Sequence, residues 1–178
     1  MEMQMPRRQA IKDKGLLLIR IKKGKDGGGA LSCERGDGSI VYQRQNAKQA
    51  GFFVRHDLTH FAVETVLGHR KGFFGLIAAG WSFEDFGEKW DKKKYPVDAD
   101  PSELIVGLFD AENASRARWT AEEFNGYAGE FMRQQGVEIG PVITQEQVES
   151  VHEKIAELMK KWGEVEMGET MELEFGVG

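Results

Sequence analysis

Four ionisable side chains crowd into one short stretch of the chain, His56-Asp57-Leu58-Thr59-His60-Phe61-Ala62-Val63-Glu64. On a helix, with His56 at zero, His60 falls at about 40°, Glu64 at about 80° and Asp57 at about 100°, so all four share one narrow sector. Phe61, Leu58, Ala62 and Val66 flank that sector on one side, and Val63 and Leu67 on the other. Such a helix is mostly buried, and a carboxylate there costs several kcal/mol without a compensating charge or a full set of hydrogen bonds. A divalent cation supplies both. Imidazoles four residues apart can grip one zinc ion, with a carboxylate as third ligand and water in the fourth position.

Rise per residue limits the ligand set. His56 and Glu64 lie about 12 Å apart along a helix axis, too far to serve one ion comfortably together with His60. The expected ligands are therefore His56 and His60, with Asp57 or a distant residue third. Asp57 reads as the helix N-cap, leaving His56 just outside the helix. Glu64 is then the catalytic candidate, either accepting a proton from bound water or holding an imidazole. Glu84 and Asp85 are the nearest carboxylates that can fold back over the site. The competing reading makes His60 and Glu64 an ordinary i,i+4 pair, with Asp57 only a cap. His69 reads as a helix-end residue, His152 as the border of an apolar stripe, and Cys33 as a packed strand residue.

The run His56-Asp57-Leu58-Thr59-His60, then Val63-Glu64, Leu67-Gly68, Phe73-Phe74-Gly75-Leu76 and Gly80-Trp81 with Asp85-Phe86, resembles a group of small uncharacterised bacterial proteins. That resemblance implies no particular activity. The His56-Asp57-x-x-His60 core is also similar to the zinc-binding motif of a ubiquinone-biosynthesis protein family, which implies His56, Asp57 and His60 as ligands. Where that family carries a glutamate twelve positions after the second histidine, this chain has Gly72. Zinc peptidases of the HExxH type need a glutamate where Asp57 stands, one methylene too short for the task. The HD phosphohydrolases need a histidine upstream of the His-Asp doublet, and His56 is the first in the chain.

The elements that must position these residues are marked by pattern. Leu16 to Lys23, Ala30 to Arg35 and Ser39 to Gln43 read as strands separated by glycine-rich turns, an antiparallel meander. The glycines lie between strands and no Gly-Lys-Ser or Gly-Lys-Thr follows, which argues against a phosphate cradle. Asp100-Pro101 with Glu103 predicts a helix start that buries Leu104, Ile105, Leu108 and Phe109. Thr120 with Glu123 predicts a capping box, and Trp119 with Phe124 a hydrophobic staple, on a helix running to Gly136. Thr144 with Gln147 opens the last helix, whose Val148, Val151, Ile155, Leu158, Met159 and Trp162 recur at helical spacing up to Gly163. Phe73, Phe74, Ile77 and Trp81 read as core. A returning strand is expected over 165–175.

Charge supports the same plan. From Met1 to Arg55 the balance is +7 and from Ala99 to Gly178 it is −11, within a total of −5. Leu18-Ile19-Arg20-Ile21-Lys22 and Met171-Glu172-Leu173-Glu174-Phe175 both alternate, so pairing them sets Arg20 and Lys22 across from Glu172 and Glu174. This internal complementarity, together with the acidic total, argues against a nucleic-acid partner. Lys92-Lys93-Lys94, beside Trp90 and Tyr95, reads as a solvated loop. The longest nearly apolar run, Phe73 to Trp81, is far short of the ~20 residues that span a bilayer, and no secretory leader opens the chain. One cysteine rules out an intrachain disulfide and points to a reducing, cytoplasmic compartment.

The expectation is thus one α+β domain over residues 1–178. An antiparallel sheet of the meander (16–43) and the returning strand is covered by four or five helices from the region 56–162. Its function is expected to be a divalent-metal, zinc-like site acting on a small molecule, with hydrolysis as the reaction. The alternative is a non-enzymatic binding or assembly protein, homo-oligomeric or not, whose polar seam is structural. The sequence names no substrate.

Overall fold

The strands form where alternating apolar residues meet glycine turns. In the computed structural model, which describes residues 15–89 and 98–177, Leu16–Lys23 (β1), Gly29–Glu34 (β2) and Ile40–Gln45 (β3) make the meander. Thr170–Gly176 (β4) returns to pair with β1, giving the antiparallel order β3-β2-β1-β4. This strand starts five residues later than expected. The segment before it is spent on a turn in which Gly168, at φ 92°, donates its N–H to Lys23 O. Arg20 stands opposite Glu172 as expected, but Glu174 faces Leu18, and Lys22 faces Thr170. The basic lysine cluster at 92–94 lies outside the described residues.

One face of the sheet carries Leu17, Ile19, Ile21, Leu31, Cys33, Met171 and Phe175, all buried in the main core. Burial pushes the Cys33 thiol well above its ordinary pKa, consistent with a packing role. The other face is only partly wet, because Leu18 and Glu34 are also buried.

Six helices are described: Ala47–Leu67 (α1), Phe73–Ala78 (α2), Phe83–Lys89 (α3), Ser102–Ser115 (α4), Ala121–Gln134 (α5) and Gln145–Glu164 (α6). The surplus over four or five comes from the segment after α1, which breaks into two short helices. No described helix is long and apolar enough to cross a membrane. Both expected capping boxes form, Thr120 with Glu123 and Thr144 with Gln147, and Trp119 packs on Phe124 at 5.5 Å. On α4, Ile105 and Phe109 are buried as expected together with Val106, while Leu104 and Leu108 are only half-buried.

Two helix starts differ from expectation. Asn46, not Asp57, caps α1: its side-chain oxygen accepts from Gln49 N, so the helix begins eleven residues earlier. Asp57 is consequently a mid-helix residue. Asp100 does not cap α4 either, because its carboxylate accepts from the backbone N–H groups of Arg70 and Lys71 and ties the α1–α2 turn to the start of α4.

Candidate metal centre

The site is made where α1 crosses α4. His56 and His60, a turn apart on α1, have ring centroids 4.7 Å apart and planes at 82°. From α4, Glu103 reaches across to His60, Oε1 to Nε2 at 2.9 Å. His56, His60 and Glu103 each present one ligand atom within 4.8 Å of the others, close enough to hold a metal ion.

Each histidine is backed by a second carboxylate. His56 Nδ1 lies 2.7 Å from Asp110 Oδ2, also on α4. His60 Nδ1 lies 3.4 Å from Glu64 Oε1, one turn further along α1. Glu64 is fully buried, and its carboxylate accepts from the N–H of Phe74 at 3.0 and 3.2 Å and of Gly75 at 3.3 Å. Those are first-turn amides of α2 with no partner inside their own helix, so the charge of Glu64 and the bare helix end compensate each other. The approach is tight: a Cβ on Gly72 would sit 2.6 Å from Glu64 Cδ and 2.3 Å from Ser102 Oγ. No side chain fits at position 72.

His60 is the most constrained member. It is 1% exposed and lies 4.8 Å from the Phe73 ring. Both of its nitrogens face carboxylates, yet neither makes a hydrogen bond of good geometry. Burial works to strip its proton, but the pull of Glu103 and Glu64 outweighs it, and the imidazole is pushed up to about 10. Glu103 is held below its ordinary value, since the facing His60, with His56 behind it, outweighs the cost of burial.

The structure thus brings His56, His60 and Glu64 into one connected group and sets Asp57 apart from the three clustered ligand atoms. The Asp57 carboxylate accepts from Gln45 Nε2 at 3.0 Å at the end of β3, and burial raises its pKa to about 6 despite that bond. Asp85 accepts from Ser82 N at the start of α3, and Glu84 is exposed; neither joins the group. His69 contacts Ser102 Oγ at 2.7 Å, and His152 contacts Glu112 at 2.7 Å between Phe109 and Phe124.

Glu103 and Asp110 were legible only as helix residues. Their spacing of seven puts both on one face of α4, a polar stripe along a helix whose other polar residues, Ser102, Glu112, Asn113 and Ser115, sit in its first and last turns. That stripe was the available signal. In comparisons with protein-family models, curated proteins and solved structures, nothing matches this chain.

Proposed function

We propose that His56, His60 and Glu103 bind one divalent cation, zinc on the strength of two imidazoles and a carboxylate, and that the site hydrolyses a small molecule. The observation that carries the reading is His60: a buried imidazole flanked by two carboxylates without a well-formed hydrogen bond to either. Ligand atoms around tetrahedral zinc are separated by about 3.3 Å, given arms of 2.0–2.1 Å. A cluster already within 4.8 Å needs only a small contraction. Asp110 and Glu64 stand behind the histidines as carboxylates do in many zinc sites, fixing ring orientation and raising ligand basicity. Glu64 holds an imidazole in this reading, because its oxygens are occupied by backbone amides. The ion itself supplies a bound water with a pKa lowered to about 7.

The raised His60 pKa favours a second reading, in which a protonated His60 bridges Glu103 and Glu64 as a structural ion pair and no metal enters. Elemental analysis of protein purified without chelator or affinity tag separates the two. The metal reading expects about one equivalent in the wild type, far less in His60→Ala, and a clear loss in Glu103→Gln, whose target is partly exposed and tolerant of the change. Absence of metal from all three, with thermal stability indifferent to added zinc, overturns it in favour of the structural seam.

A further inference from the structure

The middle of the sheet is buried on both faces, and the main core accounts for only one of them. Leu17, Ile19, Ile21, Leu31 and Cys33 belong to that core. Leu18 is 1% exposed and Ala30 is buried, yet neither joins the core or the apolar residues packed against it. Both alternate with core residues along their strands, so both point to the outer face. Glu34, directly across from Leu18 on that face, is 4% exposed as well. Cross-strand neighbours stand beside a side chain, about 5 Å away, and do not roof it. A leucine and a glutamate sealed to this degree need a cover over the outer face.

We infer that the cover is the chain's own N-terminal segment, residues 1–14, docked on the outer face with Ile11 over Leu18. The chain enters β1 through Gly15, whose φ of 57° breaks the extended path, so the preceding residues leave the line of the strand. Leu18 stands three residues after that turn, and Ile11, the first bulky apolar residue before it, stands four residues ahead of it. A segment folded back at Gly15 brings the two level. Charge fits this occupant. On the outer face Glu34 and Glu172 lie around Arg20 at 2.8 and 3.7 Å, and residues 1–14 bring Arg7, Arg8, Lys12 and Lys14 against only Glu2 and Asp13. The cover stops short of β3, since Ile40 and Tyr42 on the same face are 53% and 60% exposed. That limit disfavours residues 90–97, which follow α3, the helix packed on β3, and rejoin the helical layer at Asp98, bonded to Lys71. A route from there to Leu18 passes over Ile40 and Tyr42 first, given the strand order β3-β2-β1.

Methyl NMR of the full chain tests this. The Leu18 methyls are expected to show a nuclear Overhauser contact to Ile11 and protection from a soluble gadolinium chelate. Ile11→Asp should abolish that protection and Tyr95→Asp should leave it intact, with the core methyls of Ile19 protected in both variants. In mixed samples, where one copy carries labelled Leu18 and another labelled Ile11, no contact should appear. A contact to residues 90–97 in place of Ile11, a contact seen between copies in the mixed sample, Leu18 methyls open to the chelate in the wild type, or protection that survives Ile11→Asp would each overturn the inference. The wild-type contact decides the matter even where Ile11→Asp fails to fold, and none of these readings depends on a bound metal.

Discussion

Asp57 shows how much a single buried charge decides. It sits mid-helix, 5% exposed, with Gln45 as its hydrogen-bond donor, and burial raises its pKa from an ordinary 3.8 to about 6. An acid whose folded pKa is raised binds more protons in the folded state across that window, so stability falls as pH climbs from about 4 to about 6. The full penalty, present above pH 6, is on the order of 3 kcal/mol. Asp57→Asn keeps an acceptor for Gln45 and removes the charge. In chelator-treated protein, urea unfolding should therefore show the variant gaining on the wild type as pH rises through this range, with the gap flat above it. A variant less stable than the wild type at pH 7 would mean that the charge is compensated. The sequence disclosed the polar sector containing Asp57 but not its orientation, because Gln45, which claims the carboxylate, approaches from a strand.

Among the elements, chemistry local to a helix end was legible and chemistry between elements was not. Thr120-x-x-Glu123 and Thr144-x-x-Gln147 satisfy orphan amides within four residues, so each could be read without knowing the fold. Asn46-x-x-Gln49 has the same form with Asn46 as cap, but the following Gly51-Phe52-Phe53 obscures the helical pattern, and the true start of α1 was missed. Asn46→Ala should lower stability by about 1 kcal/mol, read as a shift in the denaturant midpoint at unchanged slope. Glu103 and Asp110 eluded the sequence for a different reason: they lie more than forty residues from the histidines they meet, and only the packing of α4 on α1 brings them there. The α2 end of the site is the least forgiving. Gly72→Ala drives a methyl into Glu64 and Ser102, so it should cost about 1 to 3 kcal/mol. It should also weaken metal binding, because the clash disturbs Glu64, the carboxylate behind His60. Calorimetric metal titration of the folded variant checks the second effect apart from the first.

Across the whole molecule, the split between a basic N-terminal third and an acidic C-terminal half becomes intelligible once β4 lies beside β1. Sequence alternation correctly gave the antiparallel plan and set Arg20 across from Glu172; in an antiparallel ladder that pairing itself puts Lys22 opposite Thr170 and Glu174 opposite Leu18, so only part of the expected ladder exists. The strongest contact of Arg20 proved to be in the other direction, to Glu34 on β2 at 2.8 Å, against 3.7 Å to Glu172. These two pairs differ in burial: the Glu34 side chain is 5% exposed and that of Glu172 is 34%. A partly exposed pair at the longer distance is worth about 0 to 1 kcal/mol and is screened by salt, whereas truncating a partner of a nearly buried carboxylate costs more. Double-mutant cycles built from Arg20→Ala with Glu34→Gln and with Glu172→Gln should therefore return unequal couplings, the first larger by about 1 kcal/mol and nearly insensitive to 0.5 M salt, roughly a Debye length of a few ångströms, the second abolished by it. Couplings near zero for both pairs, at low and high salt alike, would show that the sheet is held by its apolar face alone, and that the charge asymmetry between the two ends of the chain has no share in bringing β4 home to β1.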